Sequence, residues 1–473
     1  MEIFFFFPHI YEIQIDKIFR TEHKERIFDM EWLDRLSEVG IGILLPLIIV
    51  CSGFYFTKFL GGFYLLRPAR TLRLALSKEG ADGVSPLRAL SLSLAGTLGV
   101  GNITGVAIAL MLGGAGALFW MWISAFFSMI LKYAEIVLGM RHRIYENGKP
   151  LGGPMYYMEN GIGGRFGKML AWIFALCGVI SAFSMGSLVQ MKAASDAISE
   201  TFSFPALLFG ILAAILCAFL LFGGYEKISR LTAFFIPMLS LVYLVMAVRI
   251  VWLESERIYP LCKEIFREAF SFSSASGGIF GFLTSAALRQ GIAKGSFSHE
   301  AGCGTAPLAH AGAETKIPAK QGILGIFEVF FDTAVLCTLT GFVILLSDEP
   351  LSGTNGMKLV TDAFAHYYGA SARYIISLSV ILFALASVIC WGYYGKAMLS
   401  YLTKSPTVSV FYILLFCAVS AIGTVMTEGT VWQLSDLTVA LMTLINLSAV
   451  FMLRKEIREE TEAAGLCPPQ KRN

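Results

Sequence analysis

The chain has 473 residues, of which 56% are hydrophobic and 15% charged, with a formal net charge of +3. An ordinary soluble protein carries roughly a quarter charged residues, and a chain this apolar could not cover its folded surface with so few. Composition therefore excludes a water-soluble enzyme or binding domain, while the small net charge says little about partners.

Residues 1–38 precede the first long apolar run. Phe4 to Phe7 is too short to span a membrane and has no basic flank before it, unlike a usual signal peptide. Two readings of residues 1–29 stay open: a charged surface extension, or an artefact with Met30 as the true start. Charge-free runs follow at 39–57, 89–131, 169–191, 201–225, 231–248, 269–288, 333–347, 374–395, 405–427 and 437–453. A helix needs about 20 apolar residues to cross the hydrocarbon core, so 89–131 holds two spans joined by a turn near Gly113, Gly114 and Gly116. The 333–347 run reaches back to about 321 if Glu328 and Asp332 lie at membrane depth. The pattern predicts an all-α polytopic membrane protein with about eleven transmembrane helices, since a barrel would alternate polar and apolar residues over about ten positions. The expected organisation is an accessory helix over 39–62, five-helix halves over 89–251 and 269–453, and a tail over 454–473.

Basic residues cluster in alternate loops: Arg67, Arg70, Arg73, Lys78 and Arg88 after the first span, and Arg141, Arg143, Lys149, Arg165 and Lys168 after the third. Arg454, Lys455, Arg458, Lys471 and Arg472 form the tail. The positive-inside rule places these loops and the C-terminus in the cytoplasm, and an odd number of spans then leaves the N-terminus outside.

Two segments at membrane depth are dense in glycine: Gly96 to Gly105 in the second span, and Gly295 to Gly304 at the end of the seventh. Each interior glycine costs a helix about 1 kcal/mol relative to alanine, so several together predict an unwound turn. Close helix packing is the plain explanation of one such motif. Two of them, each opening a five-helix half, point instead to an inverted-repeat transporter. There, unwound carbonyls coordinate a cation and bared N–H groups hold a carboxylate.

Charges inside a membrane are expensive, and usually paired or functional. Lys132 and Glu135 lie three apart on one helix face, which predicts a structural pair or a gate contact. Glu328 and Asp332, four apart, share a face too, and Asp332 either pairs or helps order the ion path. Arg289 and Lys294 are candidate partners for these acids. An imidazole titrates near neutrality unless perturbed, so His299 either carries a proton or donates one hydrogen bond to the unwound turn and stays neutral. Glu300 either joins ion coupling or caps the next half-helix. No HExxH, GxSxG or CxxC pattern occurs, so neither an enzyme nor a metal site is expected.

Over residues 30–455 the sequence resembles the alanine or glycine:cation symporter family, also called amino acid carrier proteins. The blocks that carry the resemblance are GVGNITGVAIALMLGGAGALFWMW at 99–122, KYAEIVLGMRHR at 132–143 and GGPMYYMENGIG at 152–163. They continue with FSHEAGCGTAP at 297–307, KQGILGIFEVFFDTAVLCT at 320–338 and WGYYGK at 391–396. The resemblance implies a leucine-transporter-type five-plus-five inverted-repeat core with one extra N-terminal helix. It also implies uptake of alanine or glycine by alternating access in a prokaryotic inner membrane. No cofactor is implied beyond Na+ or H+ as coupling ion; the partners are an amino acid and membrane lipid, with no nucleic acid, and the protein is expected to be a monomer. Carried over by position, Gly99, Val100, Gly101 and Asn102 would hold the substrate carboxylate, with Gln190 facing the same pocket. Phe297, Ser298 and His299 would contribute from the second break, and Trp391 would close a wall. The cation would lie near carbonyls of Ala95, Leu98 and Phe383 and the hydroxyl of Ser387.

The sequence departs from the family pattern at five places. It has Val100 for the usual Thr, Ser187 for Asn, His299 for Asn, Ala386-Ser387 for a Ser-Thr pair, and Lys396 for Glu. The loss at 386 removes one hard oxygen from the expected sodium shell.

Overall fold

The computed structural model describes residues 44–75, 86–146, 148–271 and 285–468. The expectations for residues 1–38, including the role of Met30, lie outside the described residues. Among those described, seven helices are long and apolar enough to cross a membrane: Gly116–Arg141, Gly164–Phe202, Ile228–Leu253, Pro318–Leu346, Ser371–Leu402, Pro406–Gly423 and Glu428–Met452. Leu45–Phe59 and Ala206–Phe222 are shorter apolar helices, and two further passages are each built from a pair of half-helices. The first pair is Pro86–Thr97 and Thr104–Gly113; the second is Ala286–His299 and Ala306–His310. Taken in chain order, these are the eleven expected passages among the described residues.

Most of the charge-free run 269–288, residues 272–284, lies outside the described residues, and the amphipathic helix Ser255–Ala269 precedes it. The helix that belongs to the bundle is Ala286–His299, which carries Arg289, Lys294 and His299. Lys294 and His299 are buried and have partners on neighbouring helices, so a count of charges along one segment does not register them as tolerable. A second addition is the antiparallel hairpin of Ile144–Glu146 with Lys149–Leu151, small enough to leave the architecture all-α.

Glycines let the central helices touch. The third span, Gly116–Arg141, packs on both second-half pieces, Ala286–His299 and Pro318–Val329. A Cβ at Gly291 would strike Ala117 O, and one at Gly322 would lie 2.8 Å from the Tyr133 ring. Gly295 belongs to the same class, with a Cβ 3.3 Å from Ser124 Cβ, and the helix runs unbroken through it. Outer helices show the opposite character. Ala206–Phe222 exposes Leu208, Leu212, Ile215 and Phe219, an apolar face of the kind that lipid covers.

The three basic regions meet at one end of the bundle. Arg141 pairs with Glu456, Glu459 and Glu460 of the C-terminal helix Arg454–Ala463. Arg458 donates to Phe59 O at the end of the first span.

Candidate functional site

The first break lies between Thr97 and Thr104, with one 3-10 turn at Val100–Asn102. Its glycines are required by close approach. A Cβ at Gly99 would sit 2.5 Å from Ser387 Oγ and 2.8 Å from Gln190 Oε1. One at Gly101 would sit 3.0 Å from Ser298 Cα and 3.1 Å from the Phe297 ring. Two of its amides are held by side-chain carbonyls: Gly99 N–H donates to Asn102 Oδ1 at 3.2 Å, and Val100 N–H donates to Gln190 Oε1 at 3.2 Å.

The second break begins at Glu300 rather than at Gly295, and runs to Thr305. Glu300, Gly302 and Gly304 all have positive φ (51°, 87° and 83°), a conformation uncommon for a residue with a side chain. Glu300 keeps it because both carboxylate oxygens are engaged: Oε2 accepts from Thr305 Oγ1 at 2.7 Å and Oε1 from Trp391 Nε1 at 3.0 Å. Trp391, expected to close a wall of the pocket, is thus bound to the turn and packed over Gly186.

A buried cluster joins the two breaks. Asn102 Nδ2 lies 2.9 Å from Ser298 Oγ and 2.7 Å from Asp332 Oδ1. Ser298 and Thr333 hydroxyls donate to Asp332 Oδ2 at 2.8 and 2.7 Å. Asp332 sits on a π-helical stretch, Phe330–Cys337, inside the eighth span. Glu328, four residues earlier, has a different set of partners: Ser93, Lys132 and His310. Phe297 faces Trp432, ring centroids 4.6 Å apart.

Of the expected cation ligands, Ala95 and Ser387 meet, while Leu98 and Phe383 line a small void with no polar surface. Ser387 Oγ donates to Ala95 O at 3.0 Å. Leu98 and Phe383 line a small cavity with Gly99, Asn102, Ile103, Tyr243 and Leu336. Its volume is ≈ 10 Å³, about the room one water needs. Ala386 is buried beside Ser387 and offers no side-chain oxygen.

The remaining charges rearrange the expected pairs. Lys132 and Glu135 do not bond to one another. Lys132 Nζ lies 3.1 Å from Glu328 Oε1 and donates to His299 O at 2.9 Å. Glu135 Oε2 accepts from Gly304 N–H and Asn446 Nδ2, each at 2.9 Å, and Asn446 Nδ2 also reaches Gly302 O at 2.9 Å. Tyr157 OH donates to Asn446 Oδ1. Lys294 pairs with Asp436 on the eleventh span at 2.8 Å rather than with the acids named from sequence. His299 Nδ1 accepts from Ala301 N–H at 3.0 Å, which leaves Nε2 to donate to Ser124 Oγ at 3.1 Å. That is a neutral ring with both nitrogens engaged. Sequence reasoning missed Asn446, Thr305 and Thr333 at these joints, since each is an uncharged polar residue that no charge or glycine pattern singles out.

Over residues 26–463 the chain matches the family described as the sodium:alanine symporter family. It is 34% identical over 447 residues to the sodium/alanine symporter AgcS of Methanococcus maripaludis, covering 92% of this chain and 97% of that one. It is 34% identical to the probable sodium/glutamine symporter GlnT of Bacillus subtilis, covering 88% and 86%. Among solved structures, MhsT in complex with L-phenylalanine aligns with a TM-score of 0.56 at 16% identity, over 81% of this chain and 100% of that one. The fold is that of the leucine-transporter type.

Proposed function

The chain belongs to the sodium:alanine symporter family, and from that premise we propose that it imports a small neutral amino acid with sodium by alternating access. It is a membrane transporter rather than an enzyme. The observation that carries the reading is the pairing of Gly99 and Val100 amides with the side-chain oxygens of Asn102 and Gln190. Those oxygens stand where a substrate carboxylate would sit, and a bound carboxylate would replace them on the two amides. The carboxylate then takes the bared N–H groups, with the positive ends of the peptide dipoles behind them. Asp332, bonded to Asn102 and Ser298, would balance the α-ammonium or order the groups that bind it.

Relatives carry names for both alanine and glutamine, so side-chain size is argued from the pocket. A Cβ at Gly99 would lie 2.5 Å from Ser387 Oγ and 2.8 Å from Gln190 Oε1, and one at Gly101 would lie 3.1 Å from the Phe297 ring, so little room is left beside the amides of the first break. This supports alanine or glycine, with D-alanine or serine as further candidates and serine at the upper limit of size. The cation would take Ala95 O and Ser387 Oγ, with carbonyls of Leu98 and Phe383 near. A proton-coupled or exchange mode is the second reading, favoured by the missing hydroxyl at Ala386 and the thinner oxygen shell it leaves.

Uptake of radiolabelled alanine and glycine into proteoliposomes, with sodium and pH gradients imposed separately, tests both. Sodium-driven accumulation competed by glycine but not by leucine is expected. Leucine competing as strongly as alanine sinks the size argument, and accumulation driven by pH alone selects the second reading.

A further inference from the structure

We propose that the Lys132 ammonium is a tethered cation for the second break, supplying from within the chain the positive charge that a diffusible ion would otherwise bring. The half-helix Ala286–His299 ends among buried residues. Its last carbonyls lose their intrahelical partners there, and the aligned peptide dipoles leave partial negative charge at that end. Lys132 Nζ donates to His299 O at 2.9 Å and lies 3.1 Å from Glu328 Oε1, and both charged side chains are fully buried. Glu328 also accepts from Ser93 Oγ at 2.9 Å, on the half-helix ahead of the first break. It lies 3.2 Å from His310 Nε2, at the end of the half-helix after the second. One ion pair therefore touches pieces flanking both breaks.

The surrounding sequence makes room for it. A Cβ at Gly325 would lie 3.1 Å from Lys132 Cγ, so glycine there opens the path for the lysine stem between two packed helices. Stability alone does not explain the pair, because apolar residues of the same volume commonly serve as well in a buried site. Nor does the nearest acid along the helix, since Glu135 bonds to Gly304 and Asn446 instead. Lys132 is thus a positioning residue: it holds the end of one half-helix and, through Glu328, the half-helix of the other break. On the transport reading given above, the second break then needs no bound cation, and the coupling ion has one site, beside Ala95 and Ser387.

Lys132→Ala tests this by leaving His299 O and Glu328 facing the space of the lost side chain. In purified protein, methylammonium chloride should raise the thermal midpoint of the variant by a few degrees, and tetramethylammonium chloride at equal ionic strength should not. Wild type should respond to neither, and adding Glu328→Gln should abolish the response. No response in Lys132→Ala, or an equal one in wild type, overturns the proposal. If Lys132→Ala does not survive purification, the double variant Lys132→Met with Glu328→Gln, which buries no unpaired charge, replaces it. It should fold, with uptake reduced by more than about tenfold. Wild-type uptake by that variant, or its failure to fold, overturns the proposal equally. The unfolding measurement needs no substrate, and uptake by wild type in the same vesicles tests the transport reading separately.

Discussion

At the scale of single residues, the site is a set of oxygens competing for a few bared amides. Gln190 Oε1 accepts from Val100 N–H at 3.2 Å; a carboxylate there would hold the amide permanently and repel a substrate carboxylate. Gln190→Glu should abolish alanine binding while leaving a monodisperse protein, measured by isothermal titration in sodium. Ser387 Oγ meets Ala95 O at 3.0 Å. If Ser387 holds the coupling ion as proposed, Ser387→Ala should raise the sodium concentration for half-maximal uptake by about tenfold, and Ala386→Ser should lower it. His299 has both ring nitrogens engaged in the neutral form. His299→Asn should therefore leave the sodium and pH dependence of uptake unchanged; a change in the coupling ion would restore the proton-carrying role considered from sequence. Much of this scale was legible: the residues named from the glycine motifs and the family blocks do gather. Which oxygen faces which amide was not, because Gln190 and Val100 are 90 positions apart and no local pattern records their contact.

At the scale of elements, the breaks depend on close approach at some glycines and on backbone shape at others. Gly101 is of the first kind: a Cβ would lie 3.0 Å from Ser298 Cα, which belongs to the facing half-helix. Gly101→Ala should push the two breaks apart, costing about 1–3 kcal/mol in stability and most of the uptake. Gly295 lies in an unbroken helix with looser neighbours, so Gly295→Ala should keep more than half of wild-type uptake; both are read in the same vesicle assay. Sequence placed the two alike, since glycine density cannot separate a residue that packs from one that unwinds. The separation comes from Lys132, Glu135, Asn446 and Trp391, which engage the turn from residue 299 to 304.

At the scale of the molecule, three basic regions converge at one end, joined by Arg141 with the C-terminal helix and by Arg458 with Phe59 O. At the opposite end, Arg257 bonds Leu346 O and Asp348. The positive-inside rule assigns the first end to the cytoplasm. In a cysteine-free background, Lys455→Cys should then resist a membrane-impermeant maleimide in intact cells while Ser352→Cys is labelled; the reverse result inverts the topology.

By itself the sequence determined the solvent, the number of passages and the two interrupted helices. Each of these follows from local composition: apolar run length, charge scarcity and glycine density act within one segment. Only the tertiary structure decided where the second break begins and how the buried charges pair. Lys294 with Asp436 and Lys132 with Glu328 are bonds between distant helices. The cost of a charge in a membrane depends on a partner that the segment itself does not contain.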